Sequence, residues 1–193
     1  MDGAVRAAPI IETVVTTINP DGSVNCGAMG VEWGEERIVI MPFCATRTLR
    51  NLRMTRAAVV NLTDDILLFS QAALGDPQPP TRPATGVEGA VLDDACSWRE
   101  VTVEAIAEGA HRARVSTLVV GRGSRREFLG LNRARHAVLE ASILASRARL
   151  LAADDIRAEL SRLQVLVDKT AGPREREAME YVTRHLRAAV GDL

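Results

Sequence analysis

Between Phe43 and Asp65 the chain reads FCATRTLRNLRMTRAAVVNLTDD, with no acidic side chain before Asp64. Thr46, Thr48 and Thr55 bring hydroxyls to this stretch, and Arg47, Arg50, Arg53 and Arg56 bring guanidiniums. Residues of these types, closely spaced, suit the holding of an anion. A hydroxyl-rich turn that opens a helix presents free backbone N–H groups and the positive end of the helix dipole. A phosphorylated ligand or cofactor is the expected occupant. The arginines recur every three residues, so they drift slowly round a helix as one loose stripe. Such a stripe is more often a solvated face, and one or two of its members at most would reach a phosphate with bidentate geometry.

Other reactive side chains form no comparable set. Cys26, Cys44 and Cys96 are widely spaced, and so are His111, His136 and His185. Neither a zinc pattern nor a disulfide framework emerges, and no metal is expected. No Ser/His/Asp or Cys/His arrangement suggests a covalent nucleophile, so no catalytic residue is assigned. Asp64 and Asp65 read as capping or turn residues, since neighbours in one turn rarely face a single substrate. Trp98 is read as packing in the body of the fold or covering a ligand.

The elements that must position the anion site follow from local pattern. Glu12 to Ile18 is a β-branched run and reads as a strand. Asn19-Pro20-Asp21-Gly22 is a turn, and Ser23 to Val31 returns as a hairpin partner. Gly27 and Gly30 within it mark a bulge or a close approach of a ligand to the backbone. Arg37 to Met41 is a third strand, stopped by Pro42. Thr46 to Thr55 is a short helix with Leu49, Leu52 and Met54 as its apolar stripe. Ala57 to Leu62 is a buried strand, and Thr63-Asp64-Asp65 can cap the apolar segment Ile66 to Leu74. Gly75 to Pro83, rich in proline, reads as a loop with no packed structure. Trp98 to Glu108 alternates, with Val101, Val103, Ala105 and Ala107 on one side, and pairs with Arg112 to Val120. Three helices follow: Asn132 caps one to Leu151, Asp154 or Asp155 caps another to Lys169, and Pro173 opens a third to Val190.

Six strands with one short helix among them, then three helices, predict an α+β protein with a mainly β core. The expected form is a small barrel with a C-terminal helical subdomain, divided as 1–121 and 122–193. A doubly wound nucleotide-binding sheet is excluded because the first strand enters a hairpin instead of a glycine-rich turn and helix. Lys169 is the one lysine among 24 basic residues against 25 acidic ones. The net charge of -1 removes the simplest case for nonspecific nucleic-acid binding. No run approaches the roughly 20 apolar residues of a membrane span. The opening MDGAVRAAPII lacks the apolar core of a signal peptide, so a cytoplasmic location is expected.

The motifs ETVVTTIN (12–19), DGS (21–23), AMGV (28–31), TLRNL (48–52), VVNLTDD (59–65), GLNRA (130–134) and AVLEA (137–141) occur in a specific order and spacing. Together they resemble domain-of-unknown-function family 447, whose members adopt the FMN-binding split-barrel fold of flavin reductases and pyridoxamine-phosphate oxidases. The resemblance covers Glu12 to about Tyr181. It implies FMN as cofactor, a homodimer with FMN at the subunit interface, and a small-molecule substrate. It places the phosphate at Thr46, Arg47, Thr48 and Asn51, the flavin ring along Ala28, Met29 and Gly30, and Asn61 beside the flavin site. Arg47 is the position where the match departs most. The implied activity is hydride or electron transfer between a nicotinamide donor and a small acceptor, with a pterin-linked acceptor suggested by the lineages in which the family occurs. A noncatalytic FMN-binding protein and a regulatory module using the arginine stripe are the competing classes.

Overall fold

The computed structural model describes residues 8–191; Met1 to Ala7, where the signal-peptide reading falls, lie outside the described residues, as do the last two. Six strands close a barrel in the order β1 (Ile10–Ile18), β2 (Val24–Glu32), β3 (Arg37–Ile40), β8 (Ala113–Ser124), β7 (Ser97–Glu108) and β4 (Ala57–Leu62). All neighbours are antiparallel. Helix α1 (Arg47–Thr55) lies between β3 and β4, and α2 (Ile66–Leu74) follows β4. The tail consists of α3 (Arg133–Ser146), α4 (Ala153–Thr170) and α5 (Pro173–Val190). The α+β barrel with a helical tail is therefore as expected from sequence. Because β8 runs to Ser124, the strand crosses the 121/122 division.

Two apolar cores explain why β1 is buried on both faces. Val15 points into the barrel with Val31, Ile38, Ile40, Val60 and Val115. Val14, one residue earlier, points outward against α2 and the tail helices. A strand covered on both faces loses the polar alternation of a half-buried one, which is why ETVVTTI is apolar or β-branched after Glu12. Leu49 and Leu52 of α1 are fully buried in the barrel core, whereas Met54, read as part of the same stripe, is exposed. Thr46 caps α1 by accepting from Leu49 N, and Arg56 ends it in a left-handed conformation at φ 56°.

Several local expectations were corrected. The proline-rich segment is not wholly irregular: β5 (Thr81–Pro83) pairs with β6 (Ala90–Leu92) as a small hairpin against the barrel. A register shift between Val103 and Ala105 reverses the alternation of β7, so Ile106 packs toward the barrel core while Ala105 and Ala107 are exposed. Helix α3 stops at Ser146 and a single 3-10 turn, Ala148–Leu150, follows, leaving Leu150 exposed. Ala152 is the N-cap of α4, with Asp154 and Asp155 in its first turn, where they complement the helix dipole. The apolar segment after Asp65 is a full helix, giving two helices among the strands instead of one.

Candidate functional site

The barrel is incompletely zipped where β2 meets β3. Strand β2 pairs with β1 along its whole length, from Ile10↔Glu32 to Ile18↔Val24, without a register shift. With β3 it pairs only through Val31 and Glu32. The other edge of β2, from Val24 to Gly30, therefore has no strand against it. Gly27 and Gly30 mark no bulge. A Cβ at Gly27 would lie 2.9 Å from both Thr48 Oγ1 and Met29 Cε, and one at Gly30 would lie 2.6 Å from Ile10 Cγ2 and 3.0 Å from Glu12 Oε1. The glycines let the start of α1 and the side chains of β1 close against this strand.

Along that edge runs a groove of about 770 Å³, bounded by α1, α2, the end of α3 and the Pro42–Phe43 turn. Ala28, Met29, Gly30, Thr46, Arg47 and Thr48 all line it. At one end Thr48 is buried, and its Oγ1 accepts from Asn25 Nδ2 at 3.1 Å, leaving its hydroxyl proton for a groove ligand. The N–H groups of Arg47 and Thr48 are the orphan donors of the first turn of α1. Thr46 is committed to the helix: its hydroxyl donates to Phe43 O at 2.8 Å and accepts from Leu49 N at 3.3 Å. Arg47 Nη1 is held by Asp76 Oδ2 at 2.6 Å on the groove wall. Arg112, stacked 4.0 Å over the Phe43 ring, and Arg147 add positive charge.

The remaining arginines of the stripe do not line this groove. Arg53 pairs with Glu108 at 2.6 Å, and Arg56 donates to Val103 O and Glu104 O. Asn51 and Asn61 are not brought to it either. Asn51 is fully buried, and its amide donates to Thr17 Oγ1 at 3.0 Å and Asn19 Oδ1 at 2.9 Å, tying α1 to the first hairpin. Its own Oδ1 is buried without a partner. Asn61, also fully buried, donates to Val14 O and Thr16 Oγ1, both at 3.1 Å, and accepts from Leu92 N at 3.0 Å. It joins β1, β4 and β6. Trp98 sits under Arg82, 4.7 Å from its ring, and donates to Glu100 Oε1 at 3.2 Å.

Glu12, Asn25 and Arg112 line the groove too, and the sequence reading did not single them out. The contact that would have flagged Asn25, its bond to Thr48, spans 23 residues. The Glu12 carboxyl is pushed above its usual range by burial and by the Glu140 carboxylate, against the opposing charge of Arg112. Cys26 lies in the groove wall, where burial and then Asp76 push its thiol up to about 11. At neutral pH it is a protonated, unreactive thiol.

This architecture recurs among solved structures. An FMN-bound protein from Methanosarcina mazei superposes with a TM-score of 0.82 at 21% identity, over 92% of this chain and 95% of that one. Component B of nitrilotriacetate monooxygenase from Bacillus cereus gives a TM-score of 0.54 at 15% identity, over 67% of this chain and 75% of that one. The styrene monooxygenase flavin reductase from Pseudomonas putida S12 gives 0.52 at 17% identity, over 63% and 83%. At these identities the likeness is one of fold. By sequence, the model described as protein of unknown function (DUF447) N-terminal domain matches residues 11–126, and its DUF447 companion for the C-terminal part matches 132–184. The chain belongs to the DUF447 family.

Proposed function

We propose that the groove binds FMN and that the protein is a flavin-reductase-like oxidoreductase, moving a hydride or electrons between a nicotinamide donor and a small acceptor. The observation that carries this reading is the unpaired edge of β2 beside a hydroxyl-rich helix start, within one groove. From Gly27, beside Thr48, to Gly30 is three residues, about 10 Å along a strand. That separation sets an anion-holding end apart from a flat backbone edge. The residues fit the cofactor at both ends. Thr48 Oγ1, the N–H groups of Arg47 and Thr48 and the Arg47 guanidinium would hold the phosphate, with Thr46 fixing the helix start. Ala28, Met29 and Gly30 would lie along the ring system. Asn51 and Asn61 are assigned to the frame that holds α1 and β4 in place.

Bound flavin supplies the hydride and electron chemistry, while the chain supplies position and electrostatics. Arg47 lies on the groove wall in an ion pair with Asp76, so a phosphate would share its guanidinium with that carboxylate. The groove is open on one side, and large apolar side chains sit exposed on its rim: Ile10 at 53%, Phe43 at 52% and Leu150 at 84%. Exposed apolar groups concentrated at one site mark an interaction surface. That supports a homodimer in which a second subunit covers the flavin.

The direct test is the absorption spectrum of the purified protein, with the released chromophore identified after denaturation. Flavin bands and free FMN are expected. A colourless protein that shows no binding when titrated with FMN would remove this reading. Anaerobic mixing of the flavin-loaded protein with reduced nicotinamides then separates an oxidoreductase from a noncatalytic flavin carrier. Bleaching of the flavin bands is expected, and failure to bleach with either nicotinamide favours the carrier.

A further inference from the structure

Asn25 of β2 is only 6% exposed and lines the groove, yet both N–H groups of its amide turn inward. One is donated to Thr17 Oγ1 and the other to Thr48 Oγ1, each at 3.1 Å. Two features bring these three side chains together. Thr17 is the direct partner of Asn25 across β1 and β2, so both stand on the barrel face against α1. Gly27, the next residue on that face, has no side chain to hold Thr48 away: a Cβ there would lie 2.9 Å from Thr48 Oγ1. The bonds continue away from the groove. Thr17 also accepts from Asn51, and Asn51 donates to Asn19 Oδ1. Asn19 donates to Ser23 Oγ at 2.9 Å, and Ser23 Oγ donates to Asp21 Oδ1 at 2.6 Å. The chain ends on a carboxylate, which can only accept, and the hydroxyl and N–H of Ser23 hold Asp21 below the usual carboxylate range.

A hydroxyl has a single proton. Because Asn25 delivers an N–H to Thr48 Oγ1, the Thr48 proton cannot point back at Asn25 and is left to face the groove. A hydroxyl that accepts a hydrogen bond is also polarised into a stronger donor. The partner that suits such a donor is an anion whose oxygens accept, as those of a phosphate monoester do. An alcohol in the same place brings a proton of its own and no charge, so it gains less from the contact. We infer that Asn25 is a positioning residue which, by fixing the direction of the Thr48 proton, makes this end of the groove select a phosphorylated ligand over its unphosphorylated parent. Asn25 acts through Thr48, while Thr17 holds the amide from behind. The inference rests on the flavin reading of the groove, under which FMN and riboflavin are the pair that it separates.

Flavin fluorescence titrations of wild type, Asn25→Leu, Thr48→Val and the double variant measure the selection. Wild type should bind FMN more tightly than riboflavin. Asn25→Leu replaces the amide by an apolar side chain of similar size. It should weaken FMN about three- to tenfold and riboflavin by less than about twofold. In the Thr48→Val background, where there is no proton to direct, the same substitution should change the affinity for neither flavin. A purely structural role would weaken both flavins together, or weaken FMN as much without the Thr48 hydroxyl as with it, and either result overturns the inference. Two NMR measurements on flavin-free wild type depend on no variant. The side-chain amide protons of Asn25 should exchange slowly with D2O, because both are bonded inside the protein; fast exchange would show the amide turned toward the groove and overturn the inference. Inorganic phosphate should shift the backbone amide signals of Arg47 and Thr48, and no response there would also overturn it. If the amide is protected and phosphate binds but FMN does not, the flavin reading alone falls, so the two fail separately.

Discussion

Thr48 and Asn51 stand three positions apart on α1, and the structure gives them different work. Thr48 presents a hydroxyl proton to the groove, whereas Asn51 spends both its N–H groups on Thr17 and Asn19 inside the protein. Thr48→Val keeps the side-chain volume and removes a donor worth about 1.5–3 kcal/mol to a charged partner. FMN affinity should fall about tenfold or more, with a stability loss of about 1 kcal/mol because Asn25 Nδ2 loses one of its two acceptors. Asn51→Leu should leave FMN affinity nearly unchanged and act on the fold. It leaves the buried Thr17 and the half-buried Asn19 short of donors and should cost about 1–3 kcal/mol of stability. If Asn51→Leu leaves the midpoint unchanged and abolishes FMN binding, Asn51 belongs to the phosphate site after all. The same reasoning ranks the arginines. Arg47→Ala should weaken FMN, whereas Arg53→Ala should not, because Arg53 is engaged with Glu108 away from the groove.

Among the elements, the small β5–β6 hairpin shows what the sequence hides. Its loop is tied to the barrel by Glu100, a buried carboxylate that accepts from Gly86 N, from Thr85 N at 3.1 Å and from Trp98 Nε1 at 3.2 Å. Burial alone would raise its pKa, but the N–H donors of Gly86, Trp98 and Thr85 outweigh that and hold it below the usual range. The carboxylate therefore contributes stability that is present above the ordinary Glu value, about 4.3, and is lost as pH falls through the lowered one. Glu100→Gln opposes an amide to a cluster of donors and should cost about 2 kcal/mol near neutral pH. The gap from wild type should narrow in denaturant melts as the pH falls below 4, and a gap independent of pH would show that the carboxylate charge is not what holds the loop. None of this was legible in the sequence. A three-residue strand among prolines has no period to detect, and Glu100 looks like any polar position of an alternating strand. The bulge after Val103 was hidden in the same way. By contrast β1, β2, β4 and α1 were readable, because a β-branched run, an NPDG turn and a hydroxyl cap are local signals. The groove was half legible. Thr46, Arg47 and Thr48 are local to α1, but the depth of Asn51 and Asn61 depends on partners tens of residues away.

At the scale of the whole molecule, the junction of β4 and α2 fastens the barrel to its helical tail. Asp64, with only 4% of its side chain exposed, grips Arg126 at the end of the barrel chain and Arg135 on α3. Arg135 in turn holds Glu175 of α5 at 2.9 Å, and Asp65 holds Arg174. Burial works to raise the Asp64 pKa, yet the Arg126 hydrogen bond, the Leu129 N–H and the two guanidinium charges bring it below the usual range. The clamp is thus at full strength above about pH 4 and is released as pH falls through the lowered Asp64 value. Its consequence reaches the groove, because Ser142, Ile143 and Ser146 come to that wall from the same α3 that Arg135 anchors, and Arg147 follows as its C-cap. Asp64→Asn removes the shared charge and leaves two guanidiniums facing each other, which should cost about 2–4 kcal/mol. Arg174→Ala cuts a half-exposed pair and should cost less than about 1 kcal/mol. If the tail helps shape the site, Asp64→Asn should also weaken FMN several-fold under conditions where the protein is still folded, although Asp64 does not line the groove. Matched melts and FMN titrations of the two variants decide the point. Lower stability with unchanged FMN affinity would make the tail a buttress for the barrel and confine the site to the barrel, α1 and α2.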